Sequence, residues 1–172
     1  TTLEAERGNA DRTVDLFRSM FLAGGLTLSQ VASITGLENH AIQNWVKRGF
    51  LSPPENKRYT LRQLCRIINI NMLKKVLPME RICGMLSYIN GDLDDESDDI
   101  IDDSKLYFMF VRLAARARHI GGDQGWEEAI CDATAAYDEP IPGAKERVQK
   151  VLRLMLMAWI SARFRLQVAD MV

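Results

Sequence analysis

Asn39, His40, Gln43, Asn44 and Lys47 recur at spacings of three and four, so a helix would gather them on one face. Their chemistry suits reading nucleic-acid bases. A carboxamide offers a donor and an acceptor at once, and Asn or Gln can therefore pair bidentately with the edge of adenine in a major groove. Lys47 and Arg48 can reach phosphate or guanine at the far end of the same helix. Lys57, Arg58 and Tyr59 follow ten residues on, and Ser29 precedes on a neighbouring helical segment. Contacts from such positions would fix register on a duplex without reading sequence. These ten residues are the candidate DNA-binding set. A plain solvent-exposed histidine is the competing reading for His40.

Other chemistry finds less support. Cys65, Cys83 and Cys131 stand far apart, with no C-x-x-C pair. That suggests neither a zinc knuckle nor a disulfide framework and fits a reducing cytoplasm. Each reads best as a small core residue. His119 stands before Gly121 and Gly122, where it would favour a helix C-terminus. Two histidines without partner motifs make no nucleophile–base set, and no phosphate-cradling glycine loop is present. The expectation is a protein without cofactor or metal, not an enzyme.

Charge is distributed unevenly. The net charge is −1. Residues 28–75 nevertheless hold eight basic side chains against Glu38 and Glu55, and residues 92–103 hold eight acidic ones and no basic one. The acidic stretch reads first as a solvated turn in which Asp102, Asp103 and Ser104 cap the next helix. A restraining contact with the basic segment is an alternative. A cation site is another, although the spacing fails the EF-hand pattern.

The elements that must position these residues are helical. With 47% apolar and 26% charged residues, the composition is that of a globular chain. Helices are expected over about 11–22, from Thr27 to Thr35, from Glu38 or Asn39 to Arg48, from Thr60 to Lys75 and over 79–89. Thr27 with Gln30 and Thr60 with Gln63 have capping-box spacing, and Gly49 suits a helix C-terminus. Three more helices are expected over about 104–119, 124–137 and 143 to near the C-terminus. Residues 55–59 suit a turn or a tiny β-hairpin. Val31, Ile34, Ile42 and Trp45 are the expected core between the second and third helices. The chain opens on Thr1 without a signal-peptide pattern. Its longest largely apolar run, 154–162 with Ser161 inside it, is about half a membrane span. That run is apolar all round, which suits a domain core, a dimer interface or an effector pocket.

The ordered stretches LSQVASITGLENHAIQNWVKRGFLSPP, KRYTLRQLCRIINI and LPMERICGMLSYI resemble the MerR-type winged helix-turn-helix over about 27–91. Gly36, Leu37, Ile42, Trp45, Gly49, Leu51, Tyr59, Leu64 and Ile82 carry the resemblance. Gln43-Asn44-Trp45 stands where that family has Arg-Tyr-Tyr, the wing is several residues shorter, and Lys57 stands near an expected Arg. Including YINGDLDDESDDIIDDSKLY, residues 27–120 also resemble a bacterial family known only as a domain of unknown function.

The expectation is therefore an all-α fold in four parts. An N-terminal helix (1–26) precedes a MerR-like DNA-binding domain (27–91) with at most a tiny hairpin wing. An acidic connector (92–103) then leads to a compact helical dimerisation or sensing domain (104–172). The resemblance implies a cytoplasmic, sequence-specific transcription regulator. Its partners would be double-stranded DNA, a second copy through the C-terminal helices and an unidentified small-molecule effector, with no membrane. No long heptad seam is legible after residue 104. The alternatives are a protein–protein adaptor on the same scaffold and an architectural DNA protein of the excisionase type.

Overall fold

The computed structural model describes residues 10–22, 24–93, 95–117 and 123–171. Eight α-helices carry them: α1 (Ala10–Met20), α2 (Leu28–Thr35), α3 (Asn39–Lys47), α4 (Leu61–Leu73), α5 (Met79–Asn90), α6 (Asp103–Ala117), α7 (Asp123–Ala133) and α8 (Ala144–Asp170). A 3-10 turn spans Glu96–Asp98. Among the described residues the fold is all-α, with two isolated backbone bridges, Leu26 to Tyr59 and Glu55 to Arg58. The expected His119 helix cap lies outside the described residues.

Local chemistry sets the helix ends. Thr27 and Thr60 each complete a capping box with Gln30 and Gln63, satisfying backbone N–H groups that the first turn leaves open. Asp102 Oδ1 accepts from the Ser104 and Lys105 N–H groups at 2.8 and 3.2 Å and so opens α6. Helix α7 stops earlier than its periodicity suggests. The chain turns at Thr134, whose N–H and hydroxyl both donate to the Ile130 carbonyl.

Helix α4 is the centre of the fold. It packs against α2, α5, α6 and α8, and Leu64, Ile67, Ile70 and Leu73 are fully buried along it. Helix α6 lies beside it and receives α1, where Phe17 meets Tyr107 and Phe108 at ring-centroid distances of 5.5 and 6.0 Å. Helix α8 closes the far side with Val148, Val151, Leu152, Met155 and Leu156 buried. The core is one continuous cluster that includes residues from both sides of the acidic stretch.

That stretch is docked rather than solvated throughout. Ile100 and Ile101 are buried, the Ile100 N–H donates to the Ile89 carbonyl at 2.9 Å, and Asn90 Nδ2 donates to the Ile101 carbonyl at 2.7 Å. Its end carries Asp103, which is wholly buried and accepts from Arg66 Nη1 at 3.2 Å. Arg66 Nε donates to the Phe50 carbonyl at 3.1 Å, so one guanidinium joins the chain after α3 to the start of α6. Removing one partner of a buried pair strands the other charge. Asp103→Ala should therefore lower unfolding free energy by about 3–5 kcal/mol in denaturant titrations. A loss below about 1 kcal/mol would show that the pair holds nothing.

Candidate functional site

Helices α2 and α3 meet through a turn whose geometry is set by Gly36. Its φ of 68° is left-handed, and its N–H donates to the Ala32 carbonyl at 2.9 Å. Val31, Ile42 and Trp45 are buried between this pair and α4, and Ile34 is half-buried. Burying Ile42 and Trp45 turns the other side of α3 outward. Asn39, His40, Gln43, Asn44 and Lys47 are all exposed there. A shallow groove runs between the end of α2 and the start of α3, lined by Ser33, Gly36, Glu38, Asn39, His40 and Gln43. Ser29 is exposed in the first turn of α2. Ser33 was missed in the sequence, although it stands one helical turn beyond Ser29 and shares its exposed side.

The far end of α3 is closed by a Schellman motif. The Phe50 N–H donates to the Trp45 carbonyl at 2.9 Å and the Gly49 N–H to the Val46 carbonyl at 3.0 Å, with Gly49 at φ 72°. Arg48 then lies over the Phe50 ring at 4.6 Å, and Lys74 Nζ lies 5.3 Å from the Trp45 centroid. Glu55 and Arg58 bridge across Asn56 and Lys57, whose φ values of 47° and 63° are both left-handed, as in a type I′ hairpin turn. This short turn holds Lys57 at its exposed tip. Arg58 is exposed and donates from Nη1 to the Gly25 carbonyl at 3.2 Å.

Tyr59 differs from the other nine candidates because it is buried. Its N–H donates to the Leu26 carbonyl at 2.7 Å and its carbonyl accepts from the Leu26 N–H at 3.0 Å. Burial pushes its hydroxyl pKa above the ordinary value. Tyr59 anchors the turn against the body, while Lys57 and Arg58 are what the turn presents.

Two of the eight basic side chains are turned inward by the acidic stretch. Arg62 Nη1 lies 2.8 Å from Glu96 and Nη2 lies 2.7 Å from Asp99, while Arg66 is held by Asp103. Burial pushes the Asp103 carboxyl up against the pull of both arginines. The same desolvation raises Asp99 to about 6 despite Arg62 beside it, with Asp103 and Asp98 adding to the rise. The other six, Lys47, Arg48, Lys57, Arg58, Lys74 and Lys75, are exposed.

Cys65 is buried and its thiol pKa is raised by desolvation and by Asp103. Cys83 is half-buried and Cys131 exposed. Among the described residues no group of three His, Cys, Asp or Glu side chains is placed to hold a metal ion, and no helix is long and apolar enough to cross a membrane.

Residues 11–110 match the family described as Domain of unknown function (DUF1836), and the chain belongs to that family. The matched region runs from α1 into the first half of α6, so it includes the α2–α3 pair and the acidic stretch. The protein YkrK of Bacillus subtilis (strain 168), itself described as uncharacterized, is 32% identical over 84 residues. That alignment covers 46% of this chain and 36% of YkrK, so the chain spans about a third of the length of the curated relative it matches. No solved structure matches.

The Asp99 shift has a direct consequence for stability. Its carboxyl ordinarily titrates at 3.8 and in the fold at about 6, so the folded chain holds this proton more tightly. The stabilisation from that proton is complete below the unfolded value and is lost as pH rises through about 6. Asp99→Asn should flatten that part of the stability curve when thermal unfolding is followed from about pH 4 to about pH 7. An unchanged slope would contradict the assignment.

Proposed function

We propose that this chain is a sequence-specific, non-enzymatic DNA-binding regulator that uses residues 27–91 as a MerR-like winged helix-turn-helix. The observation that carries the reading is the outward face of α3, where every polar candidate is exposed because Ile42 and Trp45 are buried behind it. A helix is about 10–12 Å across with side chains, and the major groove is about 12 Å wide. In that groove Asn39, Gln43 and Asn44 would read base edges. Lys47 and Arg48 would reach phosphate or guanine, and Lys57 and Arg58 on the hairpin turn, as the wing, would grip the backbone. Ser29 and His40 would lie at the rim of the contact.

The reading extends to a two-fold dimer formed through the C-terminal helices, as paired half-sites require. A cytoplasmic location goes with it. A second reading, a protein–protein adaptor, is favoured by the internal neutralisation of Arg62 and Arg66, which leaves the module less positive than its composition. Co-purification of one protein partner with no retained DNA would favour the adaptor.

Fluorescence anisotropy with mixed-sequence duplex DNA across a salt series tests the reading. Affinity should fall steeply with salt. Lys47→Ala and Arg58→Ala should each reduce the slope of log K against log salt by about 0.9. No salt-dependent binding at low ionic strength, or unchanged slopes in both variants, would overturn it.

A further inference from the structure

Glu38 opens α3 with its backbone alone. Its φ of −71° and ψ of 143° are extended, and its carbonyl accepts from the Ala41 N–H at 2.9 Å. Its side chain makes no capping hydrogen bond, whereas Thr27 and Thr60 each cap their helices through the side chain. A short Ser, Thr, Asp or Asn is preferred at that place, because its oxygen reaches the first-turn amides. The longer Glu38 side chain stands exposed instead. Among the described residues neither a hydrogen bond nor an ion pair engages its carboxylate. It lines the shallow groove between α2 and α3 beside Ser33, Asn39, His40 and Gln43. The other acid of residues 28–75 is Glu55, at the foot of the hairpin turn.

An acid on a face that meets DNA carries an electrostatic cost. Duplex DNA places one negative charge about every 1.7 Å along its axis. A carboxylate also accepts hydrogen bonds and donates none. It therefore weakens binding to DNA at large, and the cost is offset only where a base edge offers a hydrogen. In the major groove those donors are the N4 amino group of cytosine and the N6 amino group of adenine. Adenine sets its N7 acceptor beside N6, so a carboxylate approaching N6 meets a second lone pair. Cytosine presents its amino group with no acceptor of its own beside it.

We propose that Glu38 is a specificity-determining residue of the α3 face, accepting a hydrogen bond from the N4 amino group of one cytosine in the bound site. That role rests on the DNA-binding reading and adds the base that one position selects. Residues at the start of a reading helix are those that reach base edges, and Glu38 immediately precedes Asn39 there. Asn39 and Gln43 carry donor and acceptor together and so suit adenine, whereas Glu38 rejects it. Its charge also penalises every sequence that lacks the cytosine, which widens the gap between right and wrong sites.

Selection of bound duplexes from a randomised library by the whole chain tests the assignment. Wild type should recover sites with a cytosine that Glu38→Ala leaves unspecified. Glu38→Gln should recover adenine at that same position, because a carboxamide pairs with N6 and N7 together. On two duplexes that differ at that base pair alone, fluorescence anisotropy should show wild type favouring cytosine by about tenfold and Glu38→Gln reversing the order. Both variants should keep the wild-type helical circular-dichroism signal, since the side chain makes no bond within the chain. A residue that merely started α3 would change stability and leave the selected bases alone. Identical sites from wild type, Glu38→Ala and Glu38→Gln therefore overturn the assignment while the DNA reading stands. A wild-type chain that recovers no DNA overturns both.

Discussion

A single buried guanidinium holds the candidate face of this protein in place. Arg66 bonds the Phe50 carbonyl just beyond the Schellman turn of α3 and the Asp103 carboxylate at the start of α6. A charge taken out of water is costly unless it is paired and hydrogen-bonded, so these two partners are effectively obligatory once α4 is buried. The segment after α3 must sit where its carbonyl can accept, and the acidic stretch must end where Asp103 can reach. Arg62 repeats the logic nearer the surface, with Glu96 and Asp99 on its two terminal nitrogens. The acidic stretch is therefore the counter-charge of α4.

That constraint separates scaffold from contact surface. Along α4 the chain spends two arginines on internal pairing. Along α3 it leaves the polar side chains facing outward, because Ile42 and Trp45, with Val46 packed beside them, bind the helix to the body. Helix α8 divides along its length instead, completing the core from Val148 to Leu156 and standing exposed from Arg163 onward. The outward face of α3 is set by a helix rather than by a loop, which suits recognition that depends on fixed spacing.

Local signals in the sequence were legible wherever one residue type has one job. The two capping boxes, the left-handed Gly36 and Gly49, and the spacing of Ile42 and Trp45 all define structure within a few residues, and they foretold α2, α3 and α4 closely. The α3 face followed from them. Long-range effects were not legible. No spacing rule shows that Asp99 and Asp103 would reach back some 37 residues to α4, so residues 92–103 read first as a solvated turn and a contact with the basic segment stood only as an alternative. Tyr59 read as a contact residue because it adjoins Lys57 and Arg58, yet its backbone pairing with Leu26 draws the ring inside.

The central claim is that the outward face of α3 is the surface that meets DNA. An amide chemical-shift titration of the labelled chain with a mixed-sequence duplex at low salt tests it most directly. The account predicts shifts concentrated at Asn39, His40, Gln43, Asn44 and Lys47, with a second group at Lys57 and Arg58 and none along α8. Shifts confined to other surfaces, or no shifts at all, would contradict it.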